Sequence, residues 1–148
     1  MKKLGLAADH GGYELKEALK KWLSATYEIQ DFGADHYDAA DDYPDFVIPL
    51  SRAVAAGEVE RGIAVCGSGV GATMVANRVP GVRACLITET YSAHQGVEHD
   101  ALNVLCLGGR VTGIELAREI VAAYLRAEYS GEARHERRLS KMKSLERP

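Results

Sequence analysis

Short apolar runs alternate along the chain with longer segments in which apolar residues recur every three or four positions. The short runs predict strands at Leu4–Ala8, Glu28–Asp31, Gly62–Cys66, Arg83–Thr88 and Val104–Leu107. The longer segments predict helices at Tyr13–Ser24, Phe46–Ala56, Thr112–Tyr129 and about Arg134–Leu145, and a further helix that begins near Val70. This alternation predicts βαβ units, in which helices cover both faces of a parallel sheet.

We therefore predict an α/β protein with three layers (α/β/α): a Rossmann-like five-stranded parallel sheet with helices on both faces, plus a C-terminal helix. The 148 residues contain no repeat and no linker, so residues 1–148 are expected to form a single domain. Hydrophobic residues make up 47% and charged residues 26%, as in a soluble globular protein. No apolar run is long enough for a membrane span, and the N-terminus lacks a signal-peptide pattern, so we expect a cytoplasmic protein without a membrane partner.

The net charge of −3 argues against nucleic acid as a partner. The charge is uneven, since QDFGADHYDAADDYPDF is acidic and the tail ARHERRLSKMKSLERP is basic. Such runs usually form solvated faces.

The three cysteines, Cys66, Cys85 and Cys106, are odd in number and show no CxxC spacing. Each lies in an apolar run, which predicts reduced, buried side chains, most clearly for Cys85 and Cys106.

The segment IAVCGSGVGATMVANR places Cys66 at the end of a predicted strand and a glycine-rich turn directly after it. Gly67, Gly69 and Gly71 carry no side chains, so backbone N–H groups can converge there on an anion. The helix that begins near Val70 points its positive end at the same place and favours a thiolate at Cys66. Beside such an oxyanion hole, a thiolate can either attack a carbonyl or remove the acidic proton next to one.

Other glycine loops fit this segment less well. Gly67, Gly69 and Ala72 match the dinucleotide pattern G-x-G-x-x-A, and Glu89 lies about where the ribose-binding acid is expected. However, this loop follows the third strand rather than the first, and no second domain remains for a substrate. A phosphatase loop needs an arginine where the chain has Ala72, and a Walker-type loop needs a lysine after Gly71.

Ligands of open parallel sheets bind outside the carboxyl ends of the strands. Several predicted strands end in polar or glycine residues, at Asp9-His10-Gly11-Gly12, Cys66, Glu89-Thr90 and Gly108-Gly109-Arg110. We therefore predict a binding site along this rim.

Two arginines and two histidines add candidate chemistry. Arg134 and Arg138 lie four residues apart on one predicted helix, where they form either a phosphate clamp or surface salt bridges. His10 and His99 are candidates for acid–base work. The remaining histidines are interpreted as surface residues: His36, His94 and His135.

Four stretches resemble the type B ribose-5-phosphate isomerases, which are grouped with the galactose-6-phosphate isomerase subunits: AADHGGYELK, VCGSGVGATMVANRVPGVRACL, YSAHQGVEHDALNVLCLGGRVTG and GEARHERRL. The resemblance covers nearly the whole chain. It implies a homodimer or dimer of dimers that interconverts ribose 5-phosphate and ribulose 5-phosphate without a metal or an organic cofactor. Alternatives are the same chemistry on a four- or six-carbon sugar phosphate, or a non-catalytic phosphosugar-binding protein.

The resemblance also implies roles for individual residues. Cys66 matches the general base, His99 the acid that opens the sugar ring, and Ser68 a side chain that hydrogen-bonds the reacting oxygens. In another branch the base is a glutamate at the place of Ala72, so Cys66 must serve here. The implied substrate-binding positions are Asp9, His10, Gly67, Ser68, Gly69, Val70, Gly71, Asp100, Arg110, Arg134 and Arg138.

Two features of this match bear on the assembly and the substrate. In the family, His99 and Arg110 reach the site from the neighbouring subunit, which implies shared active sites. The family usually has asparagine after this histidine, whereas this chain has Asp100. An ionised aspartate only accepts hydrogen bonds, so Asp100 is either a tolerated substitution, turned away or protonated, or an acceptor for a hydroxyl that another substrate presents.

Overall fold

The computed structural model describes residues 2–146. One parallel sheet contains five strands: β1 (Lys3–Ala8), β2 (Glu28–Asp31), β3 (Arg61–Cys66), β4 (Ala84–Leu86) and β5 (Val104–Gly108). The helices are α1 (Tyr13–Leu23), α2 (Pro44–Ala55), α3 (Val70–Ala76), α4 (Thr90–Asp100), α5 (Ile114–Arg126) and α6 (Ala133–Lys143). The strand order is β2-β1-β3-β5-β4, which confirms the predicted fold class. Met1, Arg147 and Pro148, at the ends of the predicted domain and of the basic tail, lie outside the described residues.

Helix α4 is the element that the hydrophobic pattern did not predict. Only Ala93 and Val97 of this helix are buried, so its apolar face is too narrow to give a clear helical period. The helix begins instead at a polar signal. Both carboxylate oxygens of Glu89 accept the backbone N–H of Ser92, at 3.1 and 3.0 Å, and so cap the first turn.

The sheet separates two apolar layers, and the alternation along β3 sends its side chains to both. Ile63 and Val65 pack in the layer that contains α1, α4 and α5. Ala64 and Cys66 pack in the other layer, with α2 and α3. Because successive side chains of a strand point to opposite faces, the thiol of Cys66 lies on the α2 and α3 side of the sheet.

The cysteines differ from one another in burial. Cys106 is buried, as predicted, and Cys66 is buried as well. The prediction is wrong for Cys85, which is exposed. Cys85 lies on β4, a three-residue strand at the edge of the sheet, where neighbouring elements leave part of the strand uncovered.

No helix within residues 2–146 has both the length and the apolar character needed to cross a bilayer.

A buried ion pair holds the chain where it leaves β2. Lys16 is fully buried, and its Nζ donates to both carboxylate oxygens of Asp31, at 3.0 and 3.1 Å, and to the carbonyl of Ala34. Lys20 and the N–H of Gly33 also donate to Asp31, at 2.8 and 2.9 Å. Burial alone would raise the pKa of Asp31, but hydrogen bonds from Lys20, Gly33 and Lys16 hold this pKa below its usual value. These bonds fix the start of the segment that leads to α2.

Replacing Asp31 with alanine is expected to lower the free energy of unfolding by about 3–5 kcal/mol, because it leaves the buried ammonium of Lys16 without a counter-charge. Urea denaturation at neutral pH measures this loss. The folded-state pKa of Asp31 is depressed, so the wild-type advantage is complete above about pH 4 and is lost as the pH falls further.

Lys20→Ala is the matched control, since Lys20 contacts the same carboxylate but is 40% exposed. It is expected to cost less than about 1 kcal/mol. Equal losses for Asp31→Ala and Lys20→Ala would contradict the importance of the buried partner.

Candidate active site

Three loops meet at the carboxyl ends of β1, β3 and β5. The register places Cys66 beside Gly108, and the N–H of Gly109 donates to the carbonyl of Cys66 at 2.8 Å. A Cβ at Gly11 would lie only 2.8 Å from the backbone nitrogen of Gly67, so the first and third loops approach backbone to backbone. The connections from β1 and β3 leave towards opposite sides of the sheet at this point, which is where open α/β sheets bind ligands.

The loop after β3 surrounds the thiol of Cys66 with backbone donors. The N–H of Gly69 donates to the Cys66 sulfur at 3.1 Å, and this contact stabilises negative charge on the sulfur. Gly69 has a φ of 83°, and a Cβ there would lie 3.0 Å from the backbone of Leu107, so this position requires glycine. Ser68 lies at the rim, where its Oγ accepts the N–H of Val70 at 3.2 Å.

Other N–H groups of this loop are available to a ligand. Within residues 2–146, the N–H groups of Gly67, Ser68 and Gly71 have no hydrogen-bond acceptor. Because the loop brings these donors next to the sulfur of Cys66, it is suited to hold a negatively charged oxygen beside this sulfur.

Asp9 and His10 follow β1 directly and face this loop. The side chain of Asp9 is buried and accepts the N–H of Gly12 at 3.2 Å. Burial raises the pKa of Asp9, while the neighbouring His10 opposes this shift. One carboxylate oxygen of Asp41 receives the backbone N–H of His10 at 2.9 Å and its ring Nδ1 at 2.7 Å. The hydrogen bond that Nδ1 donates to Asp41 raises the pKa of His10 and leaves Nε2 for a ligand.

Asp41 and Tyr43 also line the candidate site, and the sequence analysis missed them because it assigned their acidic segment to a solvated face. A Cβ at Gly71 would lie 2.5 Å from the ring of Tyr43, so this ring lies directly over the glycine loop. Pro44 is the feature of the sequence that could have identified them. Proline is common at the first position of a helix, so it predicts that α2 begins here and that the residues just before it lie in the loop that leads into this helix.

Arg110 lies at the same rim within the same chain. Its N–H donates to the carbonyl of Gly67 at 3.0 Å, and its guanidinium would be 3.5 Å from a Cβ at Gly67. The register of β5 pairs Gly108 with Cys66 and so places Arg110 next to the loop of its own chain. That this arginine reaches the site from a neighbouring subunit, as the resemblance implies, stays a prediction.

His99 and the tail arginines form a second group on α4 and α6. The Nδ1 of His99 contacts the amide nitrogen of Gln95 at 3.0 Å, and its ring stacks on that of His135 at 4.1 Å between centroids. The interpretation of His135 as a surface residue is wrong: it is 2% exposed, because α6 packs this face against α4. Arg134 pairs with Glu132 at 3.0 Å. Arg138 follows one turn later on the same helix, and the exposed Asp100 ends α4.

The second group lies apart from the thiol. His99 belongs to α4, which packs with α1 and α5, whereas Cys66 faces the layer of α2 and α3. Among residues 2–146, no hydrogen bond, ion pair or ring contact joins His99, Arg134 or Arg138 to the Cys66 loop. A cavity of about 1200 Å³ borders the second group, with Cys85, Asp100 and residues of α6 in its lining. The structure therefore divides the predicted site into two groups within one chain.

Two alternative sites can be tested against this geometry. The carboxylate of Glu89 caps α4, and β4, the strand before it, is separated from β3 by β5. Glu89 is therefore not placed to bind the ribose of a dinucleotide at the Cys66 loop.

Within the described chain, Asp9, His10 and Asp41 offer three possible metal ligand atoms within 4.8 Å of one another. The shared oxygen of Asp41 already accepts two hydrogen bonds from His10, an arrangement that fits a hydrogen-bonded pair.

The rim is suited to a small anionic molecule, and known proteins share the fold and much of the sequence. The family model described as ribose/galactose isomerase matches residues 4–142. Ribose-5-phosphate isomerase B of Escherichia coli is 40% identical over 147 residues, which cover 99% of this chain and 97% of that protein. D-erythrulose-4-phosphate isomerase 2 of Mycolicibacterium smegmatis is 36% identical over 130 residues, 86% of each chain.

A solved structure agrees with these relatives. Ribose-5-phosphate isomerase B of Clostridium thermocellum is 44% identical, with a TM-score of 0.92 over 97% of this chain and 96% of that one. The chain therefore belongs to the ribose/galactose isomerase family. This confirms the family that the four stretches indicated and the prediction of an enzyme of the isomerase class.

Asp41→Asn is expected to lower the pKa of His10 towards the unperturbed value of about 6.5, because it removes the charged acceptor on Nδ1. Histidine side-chain resonances followed by NMR through a pH titration measure this pKa.

Asp35→Asn is the matched control. Asp35 makes a comparable bond to the exposed His36, at 2.5 Å, so its loss should lower the pKa of His36 and leave His10 unchanged. A His10 titration that Asp41→Asn does not move would show that this carboxylate does not hold the imidazole.

Proposed function

We propose that this protein interconverts ribose 5-phosphate and ribulose 5-phosphate through an enediolate, with Cys66 as the general base. The observation that carries the proposal is the sulfur of Cys66 with the N–H of Gly69 at 3.1 Å, inside a loop of free backbone donors. The names of the Escherichia coli and Clostridium thermocellum relatives support ribose 5-phosphate as the sugar.

The loop is suited to the proton transfer that such an isomerisation requires. The thiolate of Cys66 removes the proton from C2 of the open-chain aldose, and the C–H electron pair forms the double bond between C1 and C2. The oxygen on C1 then carries the negative charge, which the N–H groups of Gly67, Ser68 and Gly71 stabilise. The thiol then returns the proton to C1, and the hydroxyl on C2 passes its proton to the oxygen on C1, which leaves a ketone at C2, a hydroxyl at C1 and the thiolate restored. A positioned base of this kind contributes about 10²–10⁴ in rate.

The phosphate needs cationic partners at the far end of the sugar. His10, whose pKa is raised by the hydrogen bond with Asp41, and Arg110 both lie on the rim of the same chain as Cys66. The proposed clamp also includes Arg134 and Arg138, which present guanidinium groups from α6.

We place the ring-opening acid on a neighbouring subunit. His99, Asp100, Arg134 and Arg138 lie apart from Cys66 in one chain, so one copy alone does not bring acid and base together. In a homodimer or dimer of dimers, the second group of one subunit completes the rim of the other. The assembly would then contain shared active sites.

A four-carbon sugar phosphate is the second candidate. The Mycolicibacterium smegmatis relative is named for erythrulose 4-phosphate. In addition, the exposed carboxylate of Asp100 accepts hydrogen bonds and does not donate them, which suits a substrate that presents a hydroxyl there.

An isomerisation assay over four- to six-carbon aldose phosphates, with EDTA present, tests the proposed function. We expect the highest kcat/KM for ribose 5-phosphate, with no effect of EDTA. Cys66→Ala should lower kcat by at least about 100-fold while the substrate still binds, because the loop donors and cationic side chains remain.

The matched control is Cys85→Ser, since Cys85 is exposed on an edge strand and its loss should leave turnover unchanged. In that background, iodoacetamide should inactivate the enzyme by alkylating Cys66, and substrate should protect it. A lack of turnover on every sugar would favour a binding protein. Nearly normal kcat in Cys66→Ala would remove Cys66 as the base and make Asp9 the next candidate.

Mixed oligomers test the shared site. Cys66→Ala and His99→Asn should each be inactive alone, whereas random mixing of their subunits should restore about a quarter of the wild-type sites. Random pairing makes half of all dimers hybrids of the two variants. In each hybrid, one site carries both changes and the other site carries neither, so one site in four is unchanged. Native mass spectrometry verifies that hybrids form, and hybrids without activity would place the acid and the base in one chain.

A further inference from the structure

The face of α6 that packs on α4 carries a histidine that the proposed mechanism does not use. His135 is 2% exposed, and its ring lies against that of His99, with centroids 4.1 Å apart and ring planes inclined by 22°. Its Nε2 has no hydrogen-bond partner within residues 2–146, and the nearest carboxylate oxygen, on Glu132, is 3.9 Å away. Hydrogen bonding of its ring nitrogen therefore does not explain why this polar ring is buried here.

The ring of His99 is held on two sides. The amide nitrogen of Gln95, one turn earlier on α4, donates to Nδ1 of His99 at 3.0 Å. A neutral His99 with this bond carries its ring proton on Nε2. The flat face of His135 covers one side of the ring and restricts its rotation away from this orientation.

We propose that His135 is a positioning residue for His99, whose imidazole it holds by stacking so that Nε2 can donate to the ring oxygen of a cyclic sugar phosphate. This inference rests on the proposed function, in which His99 opens the sugar ring. His135 itself does not touch the substrate.

The surroundings favour the uncharged form of His135. Burial lowers its pKa, and the neighbouring charges of His99, Arg134 and Arg138 lower it further, while Glu132 acts in the opposite direction. A neutral ring can stack on His99 in either of its protonation states. A charged ring at 4.1 Å would repel a protonated His99.

The two substrates of the proposed reaction separate ring opening from proton abstraction. Ribose 5-phosphate is mainly a furanose that must open before C2 can react. Ribulose 5-phosphate cannot close a furanose ring, because its C5 oxygen carries the phosphate. Exchange of the C1 proton of ribulose 5-phosphate with deuterium from D₂O therefore requires the Cys66 loop but not the ring-opening acid.

The experiment compares these two rates in His135→Leu and His135→Phe. In His135→Leu, conversion of ribose 5-phosphate should fall by about tenfold or more, while C1 deuterium exchange stays within about twofold of wild type. His135→Phe, which keeps a flat ring, should retain most of the conversion. His99→Asn is the positive control and should lose conversion while it keeps exchange.

Several outcomes would overturn the inference. Equal falls in conversion and exchange would assign His135 a structural role only, and unchanged conversion in His135→Leu would remove any role in positioning. If His135→Leu is less stable to heat than wild type, His135→Gln provides the same comparison without a ring. A wild-type enzyme that exchanges or converts neither sugar would refute the proposed function itself, before any variant is compared.

Discussion

Hydrogen bonds between β3 and its two neighbours align the carboxyl ends of three strands, and the chemistry of the rim depends on this alignment. Ala8 is paired with Val65, and Cys66 with Gly108, so the residues that follow each strand emerge side by side. A shift of one residue in β3 would move the thiol of Cys66 to the opposite face of the sheet. The buried core residues around β3 oppose such a shift, because it would exchange the side chains of both apolar layers.

This alignment imposes a second constraint, namely the close approach of the loops. The backbones at Gly11 and Gly67 are too near each other for a side chain at Gly11, and the αL conformation of Gly69 aims its N–H at the sulfur of Cys66. Loops this close exclude side chains that would shield the backbone donors from a ligand. Small residues therefore serve the chemistry directly, since they leave N–H groups to stabilise a negative oxygen.

The sequence predicts those features whose position in the fold follows from the residues next to them in the chain. Branched apolar runs predicted all five strands, and the rule that ligands bind at the carboxyl ends of strands brought Asp9, Cys66 and Arg110 to one rim. Asp41 was not predictable in this way, because its contact with His10 spans 31 residues and depends on how the chain after β2 folds back. The burial of His135 likewise depends on the packing of α6 against α4. Helix α4 was not predicted, because only Ala93 and Val97 on its apolar face are buried.

Because the site is divided into two groups, the residues proposed to transfer the proton are separate from those proposed to hold the rest of the sugar. The proposed base and its donors require fixed positions, and they lie on loops that follow the central strands β1, β3 and β5. The proposed acid, His99, and the tail arginines lie on α4 and α6, and these two helices pack against each other away from the Cys66 loop. Under the proposed shared site, changes in the second group such as Asp100 alter how a sugar is held without moving the sulfur of Cys66. Under this proposal, one scaffold can keep the loop around Cys66 unchanged while the second group adapts to sugar phosphates of different length.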